Sequence, residues 1–98
     1  MDIKVRVYGD LRNIIKKEEF SLNLPEGSTV SHVLHKLSED TPEDVKRTVK
    51  EKLMGALGKA QRSIVILVNG RNVNFLSGAE TRLSNGDVID LLPLAAGG

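Results

Sequence analysis

The 98-residue chain has no cysteine and no tryptophan. Without a thiol it offers no disulfide, no thiolate nucleophile and no cysteine-based metal site, so any sulfur chemistry must use sulfur from elsewhere. Charge of one sign is also lacking. Fourteen basic residues face thirteen acidic ones, a formal net charge of +1. That balance gives no bulk field to draw in nucleic acid or an anionic membrane, so partner choice must come from local surface. No apolar run approaches the length needed to cross a bilayer, and Met1-Asp2-Ile3-Lys4 leads into a strand pattern with no signal-peptide core. A cytoplasmic location is the expectation.

The length allows one small domain, since a chain of this size buries roughly two-thirds of the surface it exposes when unfolded. Ile3, Val5 and Val7 alternate with Lys4, Arg6 and Tyr8, the period-two pattern of a strand with one face in a core. Asp10 is placed to cap a short turn carrying Leu11, Ile14 and Ile15. Phe20, Leu22 and Leu24 alternate again before Pro25-Glu26-Gly27, so a second strand should pair with the first. Ser28 or Thr29 then offers an N-cap oxygen ahead of Val30, Val33, Leu34 and Leu37. Their i, i+3, i+4, i+7 spacing draws one apolar stripe, the mark of a helix lying across a sheet.

Thr41-Pro42-Glu43-Asp44 restarts the helical pattern with a cap, a proline at the first position and acids in the first turn. Val45, Val49, Leu53 and Leu57 repeat at i+4 while Glu43, Arg47 and Glu51 can pair on the opposite side, and Gly58 stands where a stop is expected. The β-branched run Ile64 to Val68 meets Asn69-Gly70, a strong hairpin signal, with Val73 to Leu76 expected to continue the strand beyond it. A sheet covered on one face can bury only alternate residues of that run. Either Val65 and Leu67 or Ile64, Ile66 and Val68 are therefore surplus to the core and available for a partner-facing patch. Ser84-Asn85-Gly86-Asp87 makes another turn before a last strand, Val88 to Leu92, and Pro93 ends its ladder. The order describes an α+β fold.

The final residues, Pro93-Leu94-Ala95-Ala96-Gly97-Gly98, are where chemistry is expected. Glycine has no Cβ to clash, so a narrow channel in a partner enzyme can close around such a tail and reach the terminal carboxylate. By composition alone a chain ends in two glycines roughly once in two hundred times.

The Val7-Tyr8-Gly9-Asp10-Leu11-Arg12 opening, Pro25-Glu26-Gly27-Ser28-Thr29-Val30, Val68-Asn69-Gly70, Leu83-Ser84-Asn85-Gly86-Asp87-Val88 and the closing diglycine, in that order, together resemble the β-grasp sulfur carriers. These include the small subunit of molybdopterin synthase, the thiamine-pathway carrier and the archaeal ubiquitin-like small modifiers. The resemblance covers most of the chain outside residues 38–61. It implies a ubiquitin-like β-grasp domain over 1–92, a mixed sheet of four to five strands with one or two helices on one face. Residues 38–61 would be a helical elaboration and 93–98 a flexible tail.

The resemblance further implies that an E1-like enzyme adenylates the Gly98 carboxylate with ATP and that a sulfur donor displaces AMP to leave a thiocarboxylate. Gly97 supplies slimness. The carrier itself binds no cofactor. In the molybdopterin branch the tail would enter the larger catalytic subunit of molybdopterin synthase, with Pro93, Leu94, Ala95 and Ala96 as contacts. That branch often has a second proline directly before the tail, where this chain has Leu94-Ala95-Ala96. Two other readings stay open: a modifier joined through Gly98 to lysines of target proteins, and a β-grasp binding module whose terminal glycines are incidental.

Phe75 matches an exposed phenylalanine of the molybdopterin-type carriers, with ordinary core as its alternative, and Arg12 matches a recurrent family arginine, with a surface ion pair as its alternative. His32 and His35 are one helical turn apart, but no third ligand lies in register, so solvated helix residues are favoured over a metal site. Lys46-Arg47, Lys50, Lys52, Lys59 and Arg62 could form a phosphate-binding stripe. Interleaved Glu43, Asp44 and Glu51, and only three aromatic residues in the chain, favour a solvated helix face.

Overall fold

The computed structural model describes residues 1–47, 51 and 64–93. Strand β1, Asp2–Val7, buries Ile3, Val5 and Val7 and turns its alternate residues to solvent. Helix α1, Asp10–Ile15, follows and places Leu11 and Ile15 in the core. It begins differently from the expectation. Gly9 is the N-cap and no side chain caps it, so Asp10 lies in the first helical turn, where its charge favours the helix dipole. Strand β2, Glu19–Asn23, pairs antiparallel with β1, Val5 opposite Phe20 and Ile3 opposite Leu22.

Helix α2, Val30–Glu39, buries Val30, Val33, Leu34 and Leu37, the stripe read from the sequence. Thr29 rather than Ser28 is its N-cap; Ser28 Oγ donates instead to Pro25 O at 2.8 Å. Thr41 also serves the helix behind it, since its buried hydroxyl donates to Leu37 O at 2.7 Å. The next helical stretch covers 43–47 and 51, with Arg47 paired to Glu51 at 3.3 Å and Lys46 to Glu43 at 3.6 Å. The rest of the expected second helix, with Val49, Leu53, Leu57 and Gly58, lies outside the described residues, as do Lys50, Lys52, Lys59 and Arg62.

Strand β3, Ile64–Val68, turns at Asn69-Gly70, both at positive φ, into a short β4, Arg71–Asn72. The far side of this hairpin is shorter than expected. Asn72 Oδ1 accepts from the backbone N–H of Asn74 at 2.9 Å and caps a 3-10 turn over Val73–Phe75, which drops Val73 into the core in place of continuing the ladder. Strand β5, Val88–Pro93, runs parallel to β1 and antiparallel to β3. The sheet order is β2-β1-β5-β3-β4. A mixed five-stranded sheet holding α2 against one face is the ubiquitin-like β-grasp arrangement.

Candidate functional site

Strand β5 lies in the middle of the sheet, with β1 on one side and β3 on the other. Val7 is opposite Leu91, and Tyr8 N–H donates to Leu91 O at 3.1 Å. One residue further, Gly9 meets Pro93. A Cβ on Gly9 would stand 2.7 Å from Pro93 Cγ, and Gly9 holds φ +61° with ψ −145°, a conformation nearly confined to glycine. On the other flank Pro93 is paired with Ile64. Pro93 has no N–H to extend a ladder, and β5 ends on it. The described residues stop there. Leu94, Ala95, Ala96, Gly97 and Gly98 lie outside them.

The open face of the sheet is set by the alternation of β3 and β5. Ile64, Ile66 and Val68 are in the core, so Val65 and Leu67 are the surplus pair. The register puts Val65 beside Leu92 and Leu67 beside Asp90. Val65, Leu67, Val88 and Leu92, all half-buried, make a mainly apolar strip on that face, with Asp90 between Val88 and Leu92. Polar groups of β1 border it. Tyr8 Oη donates to Asp90 Oδ1 at 3.2 Å, and Glu19 on β2 forms ion pairs with Arg6 at 3.4 Å and Lys4 at 3.7 Å. The Tyr8 hydroxyl, ahead of Asp90 and Glu19, raises the pKa of the Arg6 guanidinium above its ordinary value.

The remaining candidates separate. Arg12, on the helix that starts beside Pro93, donates through Nη1 to Glu18 Oε1 at 2.9 Å, so the surface ion pair is present. Phe75 follows the edge strand β4, with β3 between that strand and β5, and is 88% exposed. It is not a core residue; Val73 takes that place. His32 Nδ1 accepts the Thr29 N–H at 2.9 Å, replacing the Glu or Gln of a usual capping box. His32 Nδ1 is thereby committed to the cap. Among the described residues no three His, Asp or Glu side chains converge, and no helix is long and apolar enough to cross a membrane.

Sequence reasoning missed the Gly9–Pro93 fit and the Tyr8–Asp90 bond. The first had a visible signal: a glycine directly after an alternating strand, at a helix start with no Ser, Thr, Asp or Asn before it. The second depends on the parallel β1–β5 register, 82 residues apart in sequence, which local pattern does not encode.

The ThiS family model matches residues 5–98. A protein of Archaeoglobus fulgidus named as a candidate sulfur carrier is 37% identical over 71% of this chain and 74% of its own length. The solution structure of small archaeal modifier protein 1 from Methanosarcina acetivorans superposes with a TM-score of 0.74 at 33% identity, covering 99% of this chain and 96% of that one. A chain of the complex between subunits 1 and 2 of the molybdopterin-converting factor from Helicobacter pylori matches with a TM-score of 0.59 at 26% identity, over 100% of both chains.

Proposed function

This chain belongs to the ThiS family, the β-grasp sulfur carriers and ubiquitin-like small modifiers, and on that footing we propose that it carries sulfur as a thiocarboxylate on Gly98. The observation that carries the reading is the extent of the family match, which runs through Gly97-Gly98 to residue 98. A carboxylate is a poor electrophile until one oxygen becomes part of a good leaving group. An E1-like partner supplies that step: a Gly98 carboxylate oxygen attacks the α-phosphorus of ATP, pyrophosphate leaves, and an acyl adenylate remains. Hydrosulfide delivered by a donor then attacks the carbonyl carbon, expels AMP and loses its proton to leave the thiocarboxylate. The product sulfur is nucleophilic at neutral pH and passes to an acceptor. In this scheme the chain is a cytoplasmic carrier and the partners hold the catalytic groups.

The acceptor we favour is the molybdopterin precursor, held by the larger catalytic subunit of a molybdopterin synthase. Support comes from the full-length likeness to a chain of the Helicobacter pylori two-subunit complex. Ordering the residues of the tail costs about 1 to 2 kcal/mol each, so the tail needs help from the folded surface. The strip of Val65, Leu67 and Leu92, together with exposed Phe75, offers apolar area for that contact, and Arg12 offers a charge near the tail root.

A second reading is favoured by the 33% identity to a small archaeal modifier. There the same adenylate is passed on until a lysine Nζ of a target protein attacks the Gly98 carbonyl and forms an isopeptide. Both readings need Gly98 at the terminus. Deleting Gly98, or adding one residue after it, should abolish ATP–pyrophosphate exchange by the E1-like partner. No exchange with the unaltered chain would remove the activation step and leave a simple binding module, and persistent exchange in both variants would remove the requirement for Gly98 as the terminal residue.

A further inference from the structure

Six arginines are in the sequence, and five lie among the described residues. Three of these have a carboxylate partner: Arg6 with Glu19, Arg12 with Glu18 and Arg47 with Glu51, at 3.4, 2.9 and 3.3 Å. Arg71 and Arg82 have none within 4.0 Å among the described residues, and both are exposed. They come from separate parts of the fold. Arg71 is opposite Val68 at the β3–β4 turn, and Arg82 bridges Thr29 at the start of α2. Yet they line the same hollow, of about 540 Å³, together with Leu76 and Asp87.

Asp87 does not neutralise them by direct pairing, because both its oxygens are taken by the turn it belongs to. Oδ1 accepts from Asn69 Nδ2 at 2.9 Å and Oδ2 from the Ser84 N–H at 2.7 Å. Asn69 is used in turn, its Oδ1 accepting the Val88 N–H at 2.9 Å. Asn69 and Asp87 are thus committed to each other and to the turn, and the two guanidinium groups outweigh the single carboxylate of the lining by one positive charge. Guanidinium groups match carboxylates in a planar, two-pronged geometry. The rim is apolar. Leu76 and Phe75 are adjacent and account for two of the three exposed large hydrophobic residues among those described. Exposed aromatic and arginine residues are enriched in protein-binding hot spots.

We propose that Arg71 and Arg82 form a carboxylate-binding hollow for an acidic segment of a protein partner, with an apolar side chain of that segment resting on Leu76 and Phe75. The near-zero net charge of the chain disfavours nucleic acid as the occupant, and a free phosphate would not use the apolar rim. The site is remote from the chemistry. Val68 is opposite Ile89, four residues before Pro93, so the hollow is about 13 Å along β5 from the tail root. It is a second handle for selecting a partner and does not depend on the fate of Gly98.

The test uses the full ¹⁵N-labelled chain and three probes: a blocked peptide with an Asp-Glu pair flanked by leucines, the same peptide with Asn-Gln in place of the acids, and inorganic phosphate. The acidic peptide should shift the Arg71 and Arg82 Nε–Hε signals and the Leu76 amide. The Arg71→Gln/Arg82→Gln double variant should weaken its binding about tenfold or more, and Leu76→Ser should weaken the peptide while leaving the phosphate response unchanged. Thermal melts confirm that the variants are folded, and the peptide comparison on the wild-type chain stands without them. Absence of shifts up to millimolar peptide, or equal binding of the neutral peptide, overturns the proposal. Equal response to phosphate alone reduces the hollow to a simple anion site and overturns the protein-segment assignment.

Discussion

Gly9 and Pro93 are fitted to each other across the parallel β1–β5 pair: the space a Cβ of residue 9 would need is filled by the proline ring, 2.7 Å away. Pro93 directly precedes Leu94 in the tail that we propose to carry sulfur, so this contact anchors the residue before it. Gly9→Ala is expected to destabilise the domain by about 1–3 kcal/mol, from strain at φ +61° and the clash together. Urea denaturation measures the loss. Adding Pro93→Ala should recover the steric part and leave the backbone part, a non-additivity that a double-mutant cycle detects.

The two faces of β3 should respond in opposite ways. Ile66→Ala, in the core, is expected to cost about 2–5 kcal/mol. Leu67→Asp, on the half-buried open face, should cost far less in a thermal melt and should weaken binding of the larger synthase subunit in a titration calorimetry experiment. Unchanged binding would remove the sheet strip from the interface.

At the start of α2, His32→Ala should cost about 1 kcal/mol, because the Thr29 N–H loses its acceptor. His32→Gln should restore most of it, since glutamine is a usual residue at that position of a capping box. Equal losses in the two variants would show that the imidazole contributes through something other than the cap.

Arg12→Ala should change stability by no more than about 1 kcal/mol, since both partners of its ion pair with Glu18 are exposed. A large drop in adenylation rate at unchanged melting temperature would assign Arg12 to the activating partner's contact. No drop would leave it as a surface pair.

What was legible in the sequence was what local periodicity encodes. The alternation of Ile3, Val5 and Val7, the stripe of Val30, Val33, Leu34 and Leu37, and the Asn69-Gly70 turn all stand in the fold as read. What was not legible came from competition between neighbours. Val73 to Leu76 has strand composition, but the Asn72 side chain captures the next turn and ends the strand after two residues. Asp10 is a good cap residue, yet the parallel pairing of β1 with β5 places Gly9 at the cap, where only a residue without a Cβ fits. The choice between Val65–Leu67 and Ile64–Ile66–Val68 could not be made from the run itself, because it depends on which face α2 covers. Of the proposed site, the diglycine was legible and the contact between Pro93 and Gly9 was not. Pro93 reads as the end of a strand, while its fit against Gly9 appears only once residues more than eighty positions apart are paired.

The proposal rests most directly on the state of the Gly98 carboxylate. The chain should be expressed with its host's E1-like enzyme and a sulfur source, and the accurate mass of the intact protein and of its C-terminal fragment measured. Oxidation of Met1 or Met54 nearly matches an oxygen-to-sulfur exchange, so the shift must map to Gly98 and vanish when Gly98 is deleted. A thiocarboxylate on Gly98 is the expected result. A bare carboxylate in the presence of an active E1-like enzyme and sulfur donor would contradict sulfur carriage and leave the modifier reading to be pursued through branched conjugates.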